Sequence, residues 1–178
     1  MNNILKHIMV ISIALLLFSS TKAQTPYIRL KDPKDTSVVM IKGLMSKYLL
    51  MNDPAFKWYA SAHDGFRGDS VVVSNMSHGA GKVQLFVFGG TWCDDSQYIL
   101  PRFFRLQELS GIPDSTISFF GVDRDKKTLA GISEAMQITN VPTFIVFKNG
   151  KEIGRVVEYG KTGKWDAELA SIIQQAAN

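Results

Sequence analysis

Two apolar segments constrain the fold of this chain more than any other feature of its sequence. Residues 83–88 are nearly all apolar, and residues 117–122 repeat the pattern after a stretch of helical periodicity at residues 95–109. A strand with apolar side chains in both directions must be covered on both faces, as in the sheets of α/β proteins. The sequence therefore predicts an α/β sheet with helices packed on both sides.

The elements around these segments complete a predicted order of strand, strand, helix, strand, helix, hairpin, helix. Asn149 and Gly150 lie between residues 143–147 and 153–159. Asn-Gly is the strongest short signal for a β-hairpin, because both turn residues take positive φ. The other predicted elements are a first strand, a short helix and a closing helix, at residues 71–73, 129–136 and 164–176. Together they predict one domain over residues 69–178.

The first 23 residues predict a secretory signal peptide. Lys6 and His7 precede an apolar run at residues 8–18, and small residues lead up to Ala23. We expect cleavage after Ala23 and export of the remaining chain, which would be periplasmic or secreted. A run of this length rises about 16 Å as a helix, well short of a bilayer core of about 30 Å. The sequence therefore predicts no stable membrane anchor.

Residues 24–68 are predicted to form a loose leader followed by a helical extension. Two prolines and three basic residues at 24–34 are typical of an irregular leader. Apolar residues with the helical spacing i, i+3, i+4, i+7 and i+8 then follow at Ile41, Leu44, Met45, Tyr48 and Leu49. One of residues 35–37 would cap this helix. Pro54 suits the first turn of a second helix, whose aromatic residues are expected in the core.

Composition and charge exclude several classes of function. The chain carries 20 basic and 16 acidic residues, and removing Lys6 and Lys22 with the signal peptide leaves 18 basic residues against 16 acidic ones. So small an excess, with no basic stripe, predicts no nucleic-acid partner. His63 and His78 lack the spacing of metal ligands, so we expect no metal and no cofactor. The sequence leaves the oligomeric state open.

Cys93 is the only cysteine in the chain and lies where a predicted buried strand gives way to a helix. One cysteine forms no internal disulfide, so this thiol is free or pairs with another molecule. The unpaired N–H groups of a helix start favour the thiolate, which is the nucleophilic form of sulfur. Asp94 and Asp95 disfavour it by a comparable amount, so the sequence leaves the balance open. Asp95 could also simply cap the helix.

Several motifs around Cys93 resemble those of the thioredoxin superfamily, over residues 69–173. Trp92 and Cys93 begin a site that ends at Ser96, in the position of the family's Trp-Cys-x-x-Cys. The helix proline, the end of the next strand, the cis-proline loop and the hairpin match at Pro101, Val122-Asp123, Val141-Pro142-Thr143 and residues 147–150. Within the family, the chain is most similar to exported bacterial proteins with a Trp-Cys-x-Asp-Ser site. The resemblance implies a thioredoxin-like fold with a central mixed sheet flanked by helices.

Two departures from the family pattern limit the chemistry. Ser96 replaces the second cysteine, and a hydroxyl closes no disulfide. Val87 replaces the buried acid that assists the second thiol in the family. A dithiol cycle within one chain is therefore excluded. What the resemblance implies instead is single-thiol exchange, in which Cys93 forms a mixed disulfide that another thiol releases.

The same resemblance implies roles for the neighbouring residues. Ser96 would donate a hydrogen bond to the thiolate, and Trp92 would supply an apolar wall. A cis bond before Pro142 would bring the backbone of Val141 or Thr143 beside the sulfur, where family members bind substrate as a short strand. The partner would be a protein or a small thiol in disulfide form. A noncatalytic binding or chaperone-like module, and peroxide reduction through a sulfenic acid, are alternatives that the sequence leaves open.

Overall fold

A computed structural model describes residues 25–176, so the predicted signal peptide at residues 1–23 lies outside the described residues. The strands of this part are β1 Tyr27–Lys31, β2 Val39–Met45, β3 Gln84–Gly89, β4 Ile117–Gly121, β5 Thr143–Lys148 and β6 Lys151–Val157. They form one mixed sheet in the order β1-β2-β4-β3-β5-β6. The central pair, β3 and β4, is parallel, and the other neighbouring pairs are antiparallel.

The α-helices are α1 Lys47–Asn52, α2 Trp58–Asp64, α3 Ser70–His78, α4 Asp94–Leu109, α5 Ile132–Ala135 and α6 Trp165–Gln175. Two buried apolar clusters lie on opposite sides of the sheet. Val87 belongs to one cluster and its neighbour Phe88 to the other, because successive side chains of a strand point to opposite faces. The predicted α/β architecture, a mixed sheet flanked by helices, is confirmed.

The elements predicted from residue 83 onwards lie where the sequence puts them, within a few residues at each end. Asn149 and Gly150 join β5 to β6 with φ values of 52° and 74°, as the Asn-Gly turn requires. The short helix predicted at residues 129–136 is a 3-10 turn, Leu129–Gly131, followed by α5. The aromatic residues after Pro54 pack in the core, where Phe56 and Tyr59 are buried.

The helix predicted at residues 41–49 is wrong in its first half, where the chain forms β2. This strand pairs with β1 on one side and with β4 on the other, so the sheet satisfies its backbone hydrogen bonds. Gly43 has a φ of +124°, which is incompatible with a helix. Helix α1 begins only at Lys47, where the Ser46 hydroxyl accepts a hydrogen bond from Leu49 N at 3.3 Å as the cap.

The predicted loose leader is also wrong, because it contains β1. Residues 35–37, predicted to cap a helix, lie in the turn between β1 and β2, where Asp35 Oδ1 accepts a hydrogen bond from Ser37 N at 3.0 Å. The segment before residue 69 is therefore strands first and helices second, and not a helical extension alone. The domain boundary at residue 69 stays a prediction.

Residues 71–73 form the first turn of α3 and not the predicted strand. The Asp69 side chain accepts hydrogen bonds from Val71 N at 2.7 Å and from Val72 N at 3.3 Å, which caps the helix. Three consecutive valines favour a strand, but this preference depends on context. Here the cap and the packing of α3 against α6 decide the outcome.

Lys47 ties the N-terminal segment to helix α4. Its side chain is 6% exposed, and Nζ lies 2.9 Å from Gln107 Oε1, 3.0 Å from Glu108 Oε1 and 2.9 Å from Asp114 Oδ1. Burial acts to lower the pKa of Lys47, but hydrogen bonds to the two carboxylates outweigh burial and raise it. Burial also acts to raise the pKa values of Glu108 and Asp114, and Lys47 outweighs it, so both are lowered.

Replacing Lys47 by methionine should lower the free energy of unfolding by about 1–3 kcal/mol at pH 7, because the buried Gln107 amide oxygen loses its donor and two carboxylates lose their cation. The pKa values of Glu108 and Asp114 are lowered in the folded chain. Their stabilisation is therefore present above their ordinary pKa range and lost as the pH falls below that range through the lowered values. The difference between wild type and Lys47→Met should shrink accordingly when urea unfolding is repeated at pH 3.

Lys57→Met is the matched control, because Lys57 is an exposed lysine of the same segment. Its effect on the free energy of unfolding should stay within about 0.5 kcal/mol. Equal stabilities of the two variants at pH 7 would show that the Lys47 contacts contribute nothing.

Candidate active site at Cys93

Cys93 lies at the start of helix α4, four residues after β3 ends. It is the N-cap residue, with extended backbone at φ −102° and ψ 123°, and its carbonyl accepts a hydrogen bond from Gln97 N at 2.9 Å. The Cys93 side chain is partly exposed. The sulfur therefore lies at the positive end of the helix backbone, as the sequence predicts.

The loop before β5 brings Val141 and Pro142 to the same place. The Cys93 thiol donates a hydrogen bond to the Val141 carbonyl, with 3.3 Å between sulfur and oxygen. The Val141–Pro142 peptide bond is cis. Thr143 Oγ1 donates a hydrogen bond to Asn140 O at 2.7 Å and so closes the loop on itself. All three side chains of 141–143 are buried, so what they offer a ligand is their backbone.

Ser96 is fully buried one helical turn after Cys93. Its Oγ accepts a hydrogen bond from Gly90 N at 3.2 Å, which ties α4 to the loop after β3. A hydroxyl that accepts one bond keeps its own proton to donate elsewhere. Donation from Ser96 to a Cys93 thiolate stays a prediction. Val87, in the place of the family's buried acid, is also inaccessible to solvent.

Asp94 and Asp95 occupy the first turn of α4. The N-cap is Cys93, so the alternative in which Asp95 caps the helix is wrong. Asp95 instead reaches Tyr159, an exposed residue just after β6. Burial, followed by a hydrogen bond to Asp95, raises the pKa of Tyr159. The pKa of Arg124 is raised chiefly by its hydrogen bond to Asp32, and the negative charge of the exposed Asp94 nearby adds to this shift.

Trp92 is fixed at two points. Its Nε1 donates a hydrogen bond to Val122 O at 2.8 Å. The guanidinium carbon of Arg124 lies 4.5 Å from the centroid of the Trp92 ring, within the range of a cation–π contact. The indole is therefore held at its edge and on one face, and that face is covered by a cation that no sequence motif predicts. The role of Trp92 as an apolar wall for a substrate stays a prediction.

A cleft of about 180 Å³ opens beside the sulfur, and its lining residues are Trp92, Cys93, Lys126, Asn140, Val141 and Glu158. Three of these residues, Lys126, Asn140 and Glu158, are not among the site residues that the sequence predicts. Asn140 Nδ2 donates a hydrogen bond to Glu158 Oε1 at 2.9 Å. Lys126 follows β4 as Cys93 follows β3, and ligands of α/β sheets bind beyond the carboxyl ends of parallel strands. The position of Lys126 after a predicted parallel strand is thus the sequence signal that points to this residue.

The described residues, 25–176, contain no group of three or more His, Cys, Asp or Glu side chains that could hold a metal ion. Across the same range, no helix combines the length and apolar character that a membrane span requires.

Comparison with known proteins assigns the family. The family model described as Thioredoxin matches residues 73–175. The chain belongs to the thioredoxin family. Its thioredoxin-like α/β fold is thereby established, and family members in general carry out thiol–disulfide redox chemistry on protein disulfides.

Relatives within the family share about a third of their aligned residues with this chain. "Thioredoxin-like protein R548" of Acanthamoeba polyphaga mimivirus is 33% identical over 94 residues, which cover 53% of this chain and 64% of that protein. The thioredoxin of Coprinus comatus is 33% identical over 110 residues, which cover 59% of this chain and 95% of the fungal protein. The crystal structure of the Malassezia sympodialis thioredoxin is 30% identical, with a TM-score of 0.39, and covers 58% of this chain and 83% of that one.

Replacing Ser96 by cysteine should create an internal disulfide with Cys93, because the two positions lie at the N-cap and in the first turn of one helix. Mild oxidation of Ser96→Cys, followed by thiol counting in the unfolded state, should find no free thiol in the monomer.

Ser110→Cys is the control, because Ser110 lies at the opposite end of α4, about 25 Å from Cys93 along the helix axis. That variant should keep two free thiols. Two free thiols in Ser96→Cys as well would mean that positions 93 and 96 are not arranged as a dithiol site.

Proposed function

We propose that this chain is an exported thioredoxin-like protein that exchanges disulfides through Cys93 alone. The observation that carries the proposal is the environment of the sulfur. It is partly exposed at a helix start, 3.3 Å from the Val141 carbonyl, and beside a cleft. This is where a disulfide-containing chain could lie against the loop of Pro142 with one of its sulfurs next to Cys93.

The exchange has two steps. In the first, the Cys93 thiolate attacks one sulfur of a client disulfide, so that a Cys93–client S–S bond forms while the client's own S–S bond breaks. The released sulfur leaves as a thiolate and takes a proton from water. In the second, the thiolate of a small thiol attacks the client sulfur, and the bond to Cys93 breaks with return of its electron pair to Cys93. Cys93 undergoes no net oxidation.

The neighbouring residues take supporting roles in this proposal. The Ser96 hydroxyl donates a hydrogen bond to the Cys93 thiolate in both steps, which favours it as attacking and as leaving group. The backbone at Val141 and Thr143 pairs with the client, and Trp92 covers the apolar part of the client beside the disulfide. The negative charges of Asp94 and Asp95 disfavour a second thiolate next to that of Cys93.

Cys93→Ala should reduce turnover of a protein–glutathione mixed disulfide to the uncatalysed rate, because no other thiol is present in the chain. Wild-type protein quenched with acid during turnover should carry the client on Cys93, which mass spectrometry of the adduct detects.

Ser171→Ala, at an exposed serine of α6, removes a similar side-chain atom far from the site and should leave turnover unchanged. If wild type were no faster than Cys93→Ala with several small thiols, the exchange reaction would be rejected. A client that still bound Cys93→Ala would then identify a noncatalytic binding module.

Export is the second part of the proposal, and the basic start, apolar run and small residues of 1–23 support it. The exported protein should begin at Gln24, after cleavage behind Ala23. N-terminal sequencing of the protein recovered outside the cytoplasm gives the answer, and a mature chain that retained residues 8–18 would refute cleavage at this site.

A further inference from the structure

Arg124 links the wall of the thiol site to the N-terminal part of the chain. Its guanidinium lies over the Trp92 ring on one side and binds Asp32 on the other. Nε donates to Asp32 Oδ1 at 3.0 Å, and Nη2 donates to Oδ2 at 2.5 Å. A two-pronged contact of this kind fixes the plane of the guanidinium as well as its distance, which a single bond does not.

Asp32 is the other partner, and the N-terminal hairpin holds it in place. We use this name for β1, β2 and the turn that joins them, residues 27–45. The Asp32 side chain is inaccessible to solvent, where a carboxylate requires a partner. Oδ1 also accepts a hydrogen bond from Lys34 N at 2.9 Å, and Asp32 N donates to Val38 O at 3.0 Å. The carboxylate therefore keeps one orientation relative to the hairpin.

A second contact joins the N-terminal hairpin to the loop that carries the cysteine. Thr91, directly before Trp92, is buried, and its Oγ1 donates to Val39 O at 2.8 Å and accepts from Ile41 N at 3.2 Å. The Thr91 carbonyl in turn accepts a hydrogen bond from Gln97 Nε2 of α4 at 2.9 Å. The loop is thus attached to β2 at one residue and to Arg124 at the next.

We infer that the N-terminal hairpin is part of the thiol site, with Asp32 and Arg124 as positioning residues that hold the Trp92 indole against the cleft at Cys93. Hydrogen bonding to Val122 O fixes the edge of the indole, and Arg124 fixes one face. Asp32 keeps Arg124 in that position. The kinetic consequence rests on the proposed exchange function, because the wall that Trp92 forms would then contact the client.

Hydrogen exchange of the Trp92 indole proton tests the positioning without any activity measurement. The chain has three tryptophans, so the proton is assigned by its loss in Trp92→Phe, and Trp58 and Trp165 report on the integrity of the fold. Asp32→Asn removes the charge that holds Arg124. The Trp92 proton should then exchange about 3- to 30-fold faster, with Trp58 and Trp165 unchanged. Arg124→Lys keeps a cation but loses the two-pronged contact, and should do the same.

Asp35→Asn is the matched control, an exposed carboxylate of the same turn whose hydrogen bonds go to Ser37. It should leave Trp92 exchange within twofold of wild type. Unchanged exchange in Asp32→Asn, with the fold intact, would overturn the inference. If Asp32→Asn unfolds and exposes all three indoles, Arg124→Lys decides by the same criterion.

Kinetics of a peptide mixed disulfide separate this inference from the proposed function. Asp32→Asn should raise KM about threefold or more and change kcat less than twofold, because a displaced wall weakens binding and leaves the sulfur chemistry intact. A fall in kcat at constant KM would count against a positioning role at the wall. If wild type does not exceed Cys93→Ala, the exchange function fails, and the indole measurement alone decides whether Asp32 and Arg124 position Trp92.

Discussion

The register of β3 with its two neighbours determines which residues meet at the thiol. Gly89, the last residue of β3, lies opposite Gly121, the last residue of its parallel neighbour β4. Phe88 lies opposite Thr143, the first residue of the antiparallel strand β5. The chain therefore leaves β3, leaves β4 and enters β5 at the same end of the sheet. A shift of this pairing by one residue would turn every side chain of a strand to the opposite face of the sheet. It would also separate Cys93 from the loop of Val141.

The same register explains why residues far from the family motifs reach the site. β2 runs antiparallel to β4 with Gly43 opposite Gly121, so its first residues extend beyond the end of β4. The strands approach so closely there that a Cβ at Gly121 would lie 2.3 Å from Ile41 O, which glycine alone allows. The overhanging start of β2 meets Thr91, and the preceding turn brings Asp32 to Arg124.

The two differences between this site and the family's dithiol site, at Ser96 and Val87, are chemically consistent with each other. In a dithiol site, a second cysteine and a nearby acid work together, and here both positions hold buried side chains of another kind, Ser96 and Val87. A buried valine packs in the core at no electrostatic cost, whereas a buried carboxylate needs a partner. The chain keeps the nucleophile, the helix start and the loop of Pro142. These features support the proposed exchange with an outside thiol, and one cysteine forms no internal disulfide.

The sequence by itself determined the elements whose pattern is local. Residues 83–88 and 117–122 are too apolar to face water, Asn149 and Gly150 suit only a tight turn, and the family motifs bring Cys93 to Pro142. Tertiary structure decided the short segments that local pattern leaves ambiguous. Residues 41–45 carry a helical stripe, but two neighbouring strands offer them a complete set of backbone hydrogen bonds, and residues 71–73 become helical because Asp69 caps them and α6 packs on them. The contacts of Arg124 with Asp32 and Trp92 join residues up to 92 positions apart. No local periodicity encodes such a contact, because it depends on which strands become neighbours in the sheet.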